Sequence, residues 1–153
     1  MTITKSLILI YCSLLISCTN KVEVYPNETS VVEKLLAHLS KNDSVSIKNL
    51  IGVLPEEIGT SSEIINYNIN KAYEIIKTNG IPDKKSFIFK TYPSNDYRLL
   101  DVIVPLKVGQ TKGLRKAEIN ISFVKYLPVG KILDFDFTTD YEVNMIDSAN
   151  VVK

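Results

Sequence analysis

Histidine, cysteine and tryptophan are nearly missing from this 153-residue chain, which holds one His, two Cys and no Trp. With a single histidine, His38, and no G-x-S-x-G pattern, no Ser-His or Cys-His nucleophilic arrangement is evident. Glycine is scarce too, at six residues, and none of them forms a phosphate-cradling loop or a dinucleotide fingerprint. Nor is there an excess of one charge. Eighteen Lys and Arg face seventeen Asp and Glu for a net charge of +1, and the lysines are spread along the chain. That distribution excludes the basic footprint of a nucleic-acid-binding protein and a polybasic membrane patch.

What is present starts at the amino terminus, M-T-I-T-K-S-L-I-L-I-Y-C-S-L-L-I-S-C-T-N-K. Lys5 is the only charge before Cys18, and Ser6 to Ile16 are almost uniformly apolar. A basic start, a short apolar stretch and small residues at its end are the layout of a secretory signal. The stretch falls short of the roughly 20 residues that cross a bilayer as a helix. Leu15-Ile16-Ser17-Cys18 resembles the lipobox of bacterial lipoproteins. The resemblance implies cleavage after Ser17, diacylglyceryl attachment to the Cys18 sulfur and acylation of the new amino terminus. Several acyl chains anchor a domain where one anchors only marginally.

On that reading Cys12 leaves with the leader at 1–17 and the Cys18 thiol is consumed. The mature chain then has no disulfide and no cysteine ligand for a zinc site. Loss of Lys5 brings its charge close to zero. The resemblance implies a cell-envelope location, lipid-anchored to the membrane. Thr19, rather than Asp, follows Cys18 and favours the periplasmic side of the outer membrane. No cofactor is expected.

Residues 18–29 read as a polar tether, and residues 30–150 as one domain. Ser30 and Glu33 suggest a capping box ahead of a stripe of Val32, Leu35, Leu36 and Leu39. Asp43 suggests the cap of a shorter helix with Ile47, Leu50 and Ile51, closed by Gly52 and Pro55. Thr60 and Glu63 suggest a third cap, before Ile65, Ile69, Ala72 and Ile76, with Asn79-Gly80 as the stop. After Pro82 the period becomes two. Phe87 and Phe89, then Leu100 to Val108, Ile119 to Phe123 and Leu133 to Phe137 predict four strands joined by short polar links. This is an α+β class, with N-terminal helices packed on a curved four-stranded antiparallel meander. The order of elements resembles the cystatin-like and nuclear transport factor 2-like superfamily, whose members include enzymes, binding modules and accessory domains.

Carboxylates and tyrosines carry what chemistry remains. If Pro128-Val129-Gly130 sets the turn, Phe123 lies beside Phe135, Asp136 beside Ser122, Glu118 beside Asp140 and Lys116 beside Glu142. Glu118, Asp136 and Asp140, with Asp101 near, then form an acidic patch. It could be a calcium site, a carboxylate pair for glycoside hydrolysis, or a solvated strand face countered by Lys107 and Lys116. Tyr67, Tyr92, Arg98 and Tyr141 could rim a ligand pocket between helices and sheet, or be core-edge residues with wet hydroxyls. His38 reads as a boundary residue of the first helix. Asp43-Ser44-Val45 and Asp147-Ser148-Ala149 resemble an O-glycosylation sequon of bacterial periplasmic proteins.

These observations favour a non-catalytic binding or accessory module held at the membrane through Cys18, meeting a protein partner or a small apolar ligand and no nucleic acid. The alternatives are an enzyme using carboxylate or tyrosine acid-base groups, and an immunity-type protein that binds a toxin.

Overall fold

The computed structural model describes residues 24–53, 61–109 and 111–141. Cys18, Thr60, Glu142 and the Asp147-Ser148-Ala149 pattern lie outside them. Helix α1 spans Pro26–Leu39, α2 Ser44–Leu50 and α3 Ser62–Asn79. A 3-10 turn at Lys84–Ser86 leads into β1 Ile88–Thr91, β2 Arg98–Pro105, β3 Leu114–Val124 and β4 Asp134–Tyr141. The strands form one antiparallel sheet in the order β1-β2-β3-β4. Helices precede strands, and the class is α+β.

The helix α1 begins at Pro26, four residues ahead of the expected Ser30. Proline at the first turn presets the helical φ and has no N–H to leave unpaired. The Tyr25 ring stacks on Phe89 at 5.2 Å and docks that start against β1. Thr29, Val31 and Val32 are consequently buried, so the segment read as the end of a tether belongs to the domain. Asn42 ends the turn after α1 at φ 53°, a left-handed conformation that asparagine tolerates. The Asp43 carboxylate accepts from the Ser46 N–H at 3.0 Å and caps α2 as expected. Ser61 Oγ accepts from the Ile64 N–H at 3.2 Å and caps α3. Gly80, at φ 84°, closes it.

Between the bulges in β2 and β3 the strands alternate, and the helices cover the apolar face. Leu35, Leu36, Leu39, Ile65 and Ile69 meet Leu100, Val102, Ile119, Ile121 and Phe135, all at 0–1 % exposure. Each large side chain so removed from water contributes about 1.5–3 kcal/mol. A core of this size supports one domain without a covalent staple.

The β3–β4 pairing differs from expectation by two residues. Ile121 lies opposite Phe135, Glu118 opposite Thr138 and Lys116 opposite Asp140. A slip of two keeps every side chain on its own face, so alternation alone cannot choose between the registers. The link chooses. Ile132, and not Leu133, enters the core at 0 % exposure. It is held by a bridge to Ile51, by its N–H to the Leu50 carbonyl (3.0 Å) and by its carbonyl to the Gly52 N–H (2.8 Å). The end of α2 thereby takes up chain that a tight turn would have left to the strands.

The free edge of β4 is met by α3. Asn68, 5 % exposed, donates from Nδ2 to the Phe135 carbonyl (3.4 Å) and to Asp136 Oδ1 (3.3 Å). Satisfying an edge carbonyl this way blunts the edge against pairing with another chain.

Candidate functional site

On the face of the sheet turned away from the helices, Lys90, Asp101, Ser122 and Asp134 form one row across all four strands. Asp101 is its hub. Tyr92 Oη donates to Asp101 Oδ2 at 2.5 Å and Ser122 Oγ donates to Oδ1 at 2.9 Å. The Arg98 guanidinium lies 3.9 Å from Oδ2. A carboxylate only 18 % exposed needs such partners, because an unpaired buried charge is costly.

Arg98 reaches this face because β2 carries a bulge between Arg98 and Leu100. The extra residue breaks strict alternation and re-aims the side chains around it. Arg98 Nη1 donates to Tyr92 Oη at 3.4 Å and Nε donates to Tyr97 Oη at 3.3 Å. Its guanidinium also lies 5.4 Å from the Tyr92 ring centre and 5.8 Å from that of Tyr97. Lys90 Nζ approaches the Tyr92 ring at 5.4 Å. The hydrogen bonds to Tyr97 and then Tyr92, more than the charge of Asp101, raise the Arg98 pKa above its ordinary value. The cation stays charged at any relevant pH.

Asp134, at the end of the row, is pushed up by burial; the Phe135 N–H bond pulls it down, and Asp136 adds to the upward push. Asp101 already accepts two hydrogen bonds beside a cation, so it is placed as an anchor for Tyr92 and Arg98. The arrangement holds one cation between two tyrosines in a fixed position.

Two of the four residues expected to rim a pocket are thus brought together, on the opposite side of the sheet from the helices. Tyr67 is 59 % exposed on α3, beside Lys71. Tyr141 is 52 % exposed and pairs with Leu114, whereas Tyr92 lies near the row of Leu100 and Phe123. Nine positions along β3 separate those rows, roughly 30 Å at about 3.3 Å per residue. No common pocket joins the four. Their expected place, between helices and sheet, is filled by the aliphatic side chains of the core.

The acidic patch is also broken up by the shifted register. Lys116 stands opposite Asp140 and binds Glu118 Oε2 at 2.8 Å. Asp136 lies opposite Asn120 and accepts from Asn68. Lys116, Glu118, Thr138, Thr139 and Asp140 line a shallow hollow of about 210 Å³. Among the described residues no group of three His, Cys, Asp or Glu side chains is placed to hold a metal ion.

His38 Nδ1 lies 3.3 Å from Asp43 Oδ2. The Asp43 pKa is lowered chiefly by its hydrogen bonds to Ser46, with His38 adding to the effect. Asp43 is therefore occupied in capping α2, and Ser44 is the first residue of that helix.

Asp101 and Ser122 were not legible as site residues beyond a loose grouping of Asp101 with the acidic side chains. Their only signal was a polar residue on the outward parity of an alternating strand. Among the described residues no helix is long and apolar enough to cross a membrane. No protein-family model, curated protein or solved structure matches the chain.

Proposed function

We propose that this is a cell-envelope lipoprotein, anchored through acylated Cys18, whose α+β domain is a non-catalytic binding module. It recognises a protein partner through the outward sheet face around Tyr92, Tyr97 and Arg98. The carrying observation is the ordered Tyr92–Arg98–Tyr97 cluster on its Asp101 anchor. Tyrosine and arginine dominate binding hot spots, and side chains already held in place lose little freedom on association. The filled helix–sheet interior supports surface recognition over capture of a small apolar ligand. Saturation of Asp101 by donors supports binding over acid-base catalysis.

Two measurements test this. Fractionation of the native cell should find the protein in membranes with an acyl-modified mass at Cys18, and Cys18→Ser should release it to the soluble fraction. In the same membranes, a photoreactive amino acid at position 90, exposed on the same face beside Tyr92, should yield one discrete protein adduct. Arg98→Ala should cut its yield by about tenfold or more, the size of a hot-spot loss. An unacylated wild-type protein, or adduct formation indifferent to Arg98, would overturn the corresponding half of the reading.

A further inference from the structure

Exposed apolar side chains gather at the end of the domain where the described chain starts, at Val24. The β1–β2 turn, the β2 bulge, the β3–β4 link and the start of α1 all lie at one end of the meander. Asn27, Glu28 and Val31 of α1 line a hollow of about 80 Å³ together with Leu99, Pro128 and Val129. Around it Val129 is 85 % exposed, Tyr126 61 %, Val24 56 % and Leu99 37 %. Exposed Lys125 stands among them, its ammonium bonded to the Ser94 carbonyl at 2.6 Å.

From these observations we infer that this end of the domain seats on the bilayer that holds the lipid anchor. Val129 and Tyr126 enter the headgroup region, and Lys125 lies at headgroup level. The inference rests on the reading of Cys18 as the lipidated residue. It follows from the reach of the chain. Five residues lie between Cys18 and Val24, and these six Cα-to-Cα steps span at most about 22 Å when fully extended. The start of α1 is therefore confined close to the membrane surface, whatever path the tether takes. The far end of α1 is about 21 Å away along the helix axis at 1.5 Å per residue. An apolar group at a confined surface is drawn to the headgroup–acyl boundary, and tyrosine is suited to it by an apolar ring with a polar tip. With the turns on the membrane the strands stand upright. The Tyr92–Arg98 face then looks sideways, toward a partner in the same membrane.

The chain has no tryptophan, so one introduced indole reports alone. The acylated protein, with its Cys18 modification confirmed by mass, is reconstituted into phosphatidylcholine–phosphatidylglycerol vesicles with brominated acyl chains. Val129→Trp should show a blue-shifted emission and a roughly twofold loss of intensity, as for an indole about 5–10 Å deep. Tyr126→Trp, at a second position of the patch, should follow it. Tyr141→Trp, paired with Leu114 at the opposite end of the sheet where the native tyrosine is 52 % exposed, should keep the emission it has in unbrominated vesicles. Equal quenching at 129 and 141, or none at 129 and 126, overturns the seating while the mass leaves the anchor standing. A blue shift at 129 that grows with protein concentration and needs no bilayer assigns the patch to a second copy and also overturns it. An unacylated Cys18 removes the anchor on which the inference rests.

Discussion

Thr29 Oγ1 is a buried side-chain atom that finds no hydrogen-bond partner among the described residues. It sits in the first turns of α1, where a valine would fill the same space without a hydroxyl. An unsatisfied buried donor or acceptor costs about 1–3 kcal/mol. Thr29→Val is expected to raise the stability of the domain by about 1 kcal/mol in urea unfolding, and a loss would show the hydroxyl to be satisfied. Asp134 gives a prediction in pH. Burial, the larger cause, and then Asp136 against the Phe135 N–H bond, hold its carboxyl above the ordinary 3.8. A carboxyl raised in the native state binds its proton more tightly there than in the unfolded chain. Its ionised form therefore costs native stability at neutral pH, and the cost fades as pH falls through the raised pKa. Asp134→Asn should raise the urea midpoint at neutral pH, with the gain shrinking on acidification and gone below 3.8. A gain constant across that range would refute the assignment. Neither residue could be singled out in the sequence, because burial of a threonine or an aspartate depends on what packs over it.

Individual elements were largely legible, and the joints between them were not. Asp43 as the cap of α2 and Gly80 as the stop of α3 follow from local chemistry, and the structure has both. Gly52 was legible only as a helix terminator. In the fold it is a close-approach position: a Cβ there would lie 2.8 Å from one Leu127 methyl and 3.1 Å from Lys131 Cβ. Its N–H also holds the Ile132 carbonyl. In Gly52→Ala the Leu127 methyls have to swing aside and Lys131 Cβ has to give way slightly, which presses on the β3–β4 link, an overpacking expected to cost about 1 kcal/mol. Because that link sets the register, the variant should also speed amide exchange in β4 more than in β2. Uniform exchange across the sheet would separate the glycine from the register.

At the scale of the whole molecule, Phe135 joins the core face of β4 to the helices, at 1 % exposure. Phe135→Ala should cost about 3–5 kcal/mol, a large share of the 5–15 kcal/mol by which a domain is stable. A variant within about 1 kcal/mol of wild type would show that the site collapses around the cavity. By itself the sequence determined the α+β class, the order of elements and the face on which each strand residue lies. Those follow from hydrophobic periods of 3.6 and 2, which are written within a few neighbouring residues. Only the tertiary structure decided the β3–β4 register, the choice of Ile132 over Leu133 and the bulge that turns Arg98 toward Asp101. A slip of two leaves the pattern unchanged, and a bulge is one residue in an otherwise regular run. The contact that selects the register joins Ile51 to Ile132, residues far apart in the chain that meet only once the whole domain has folded.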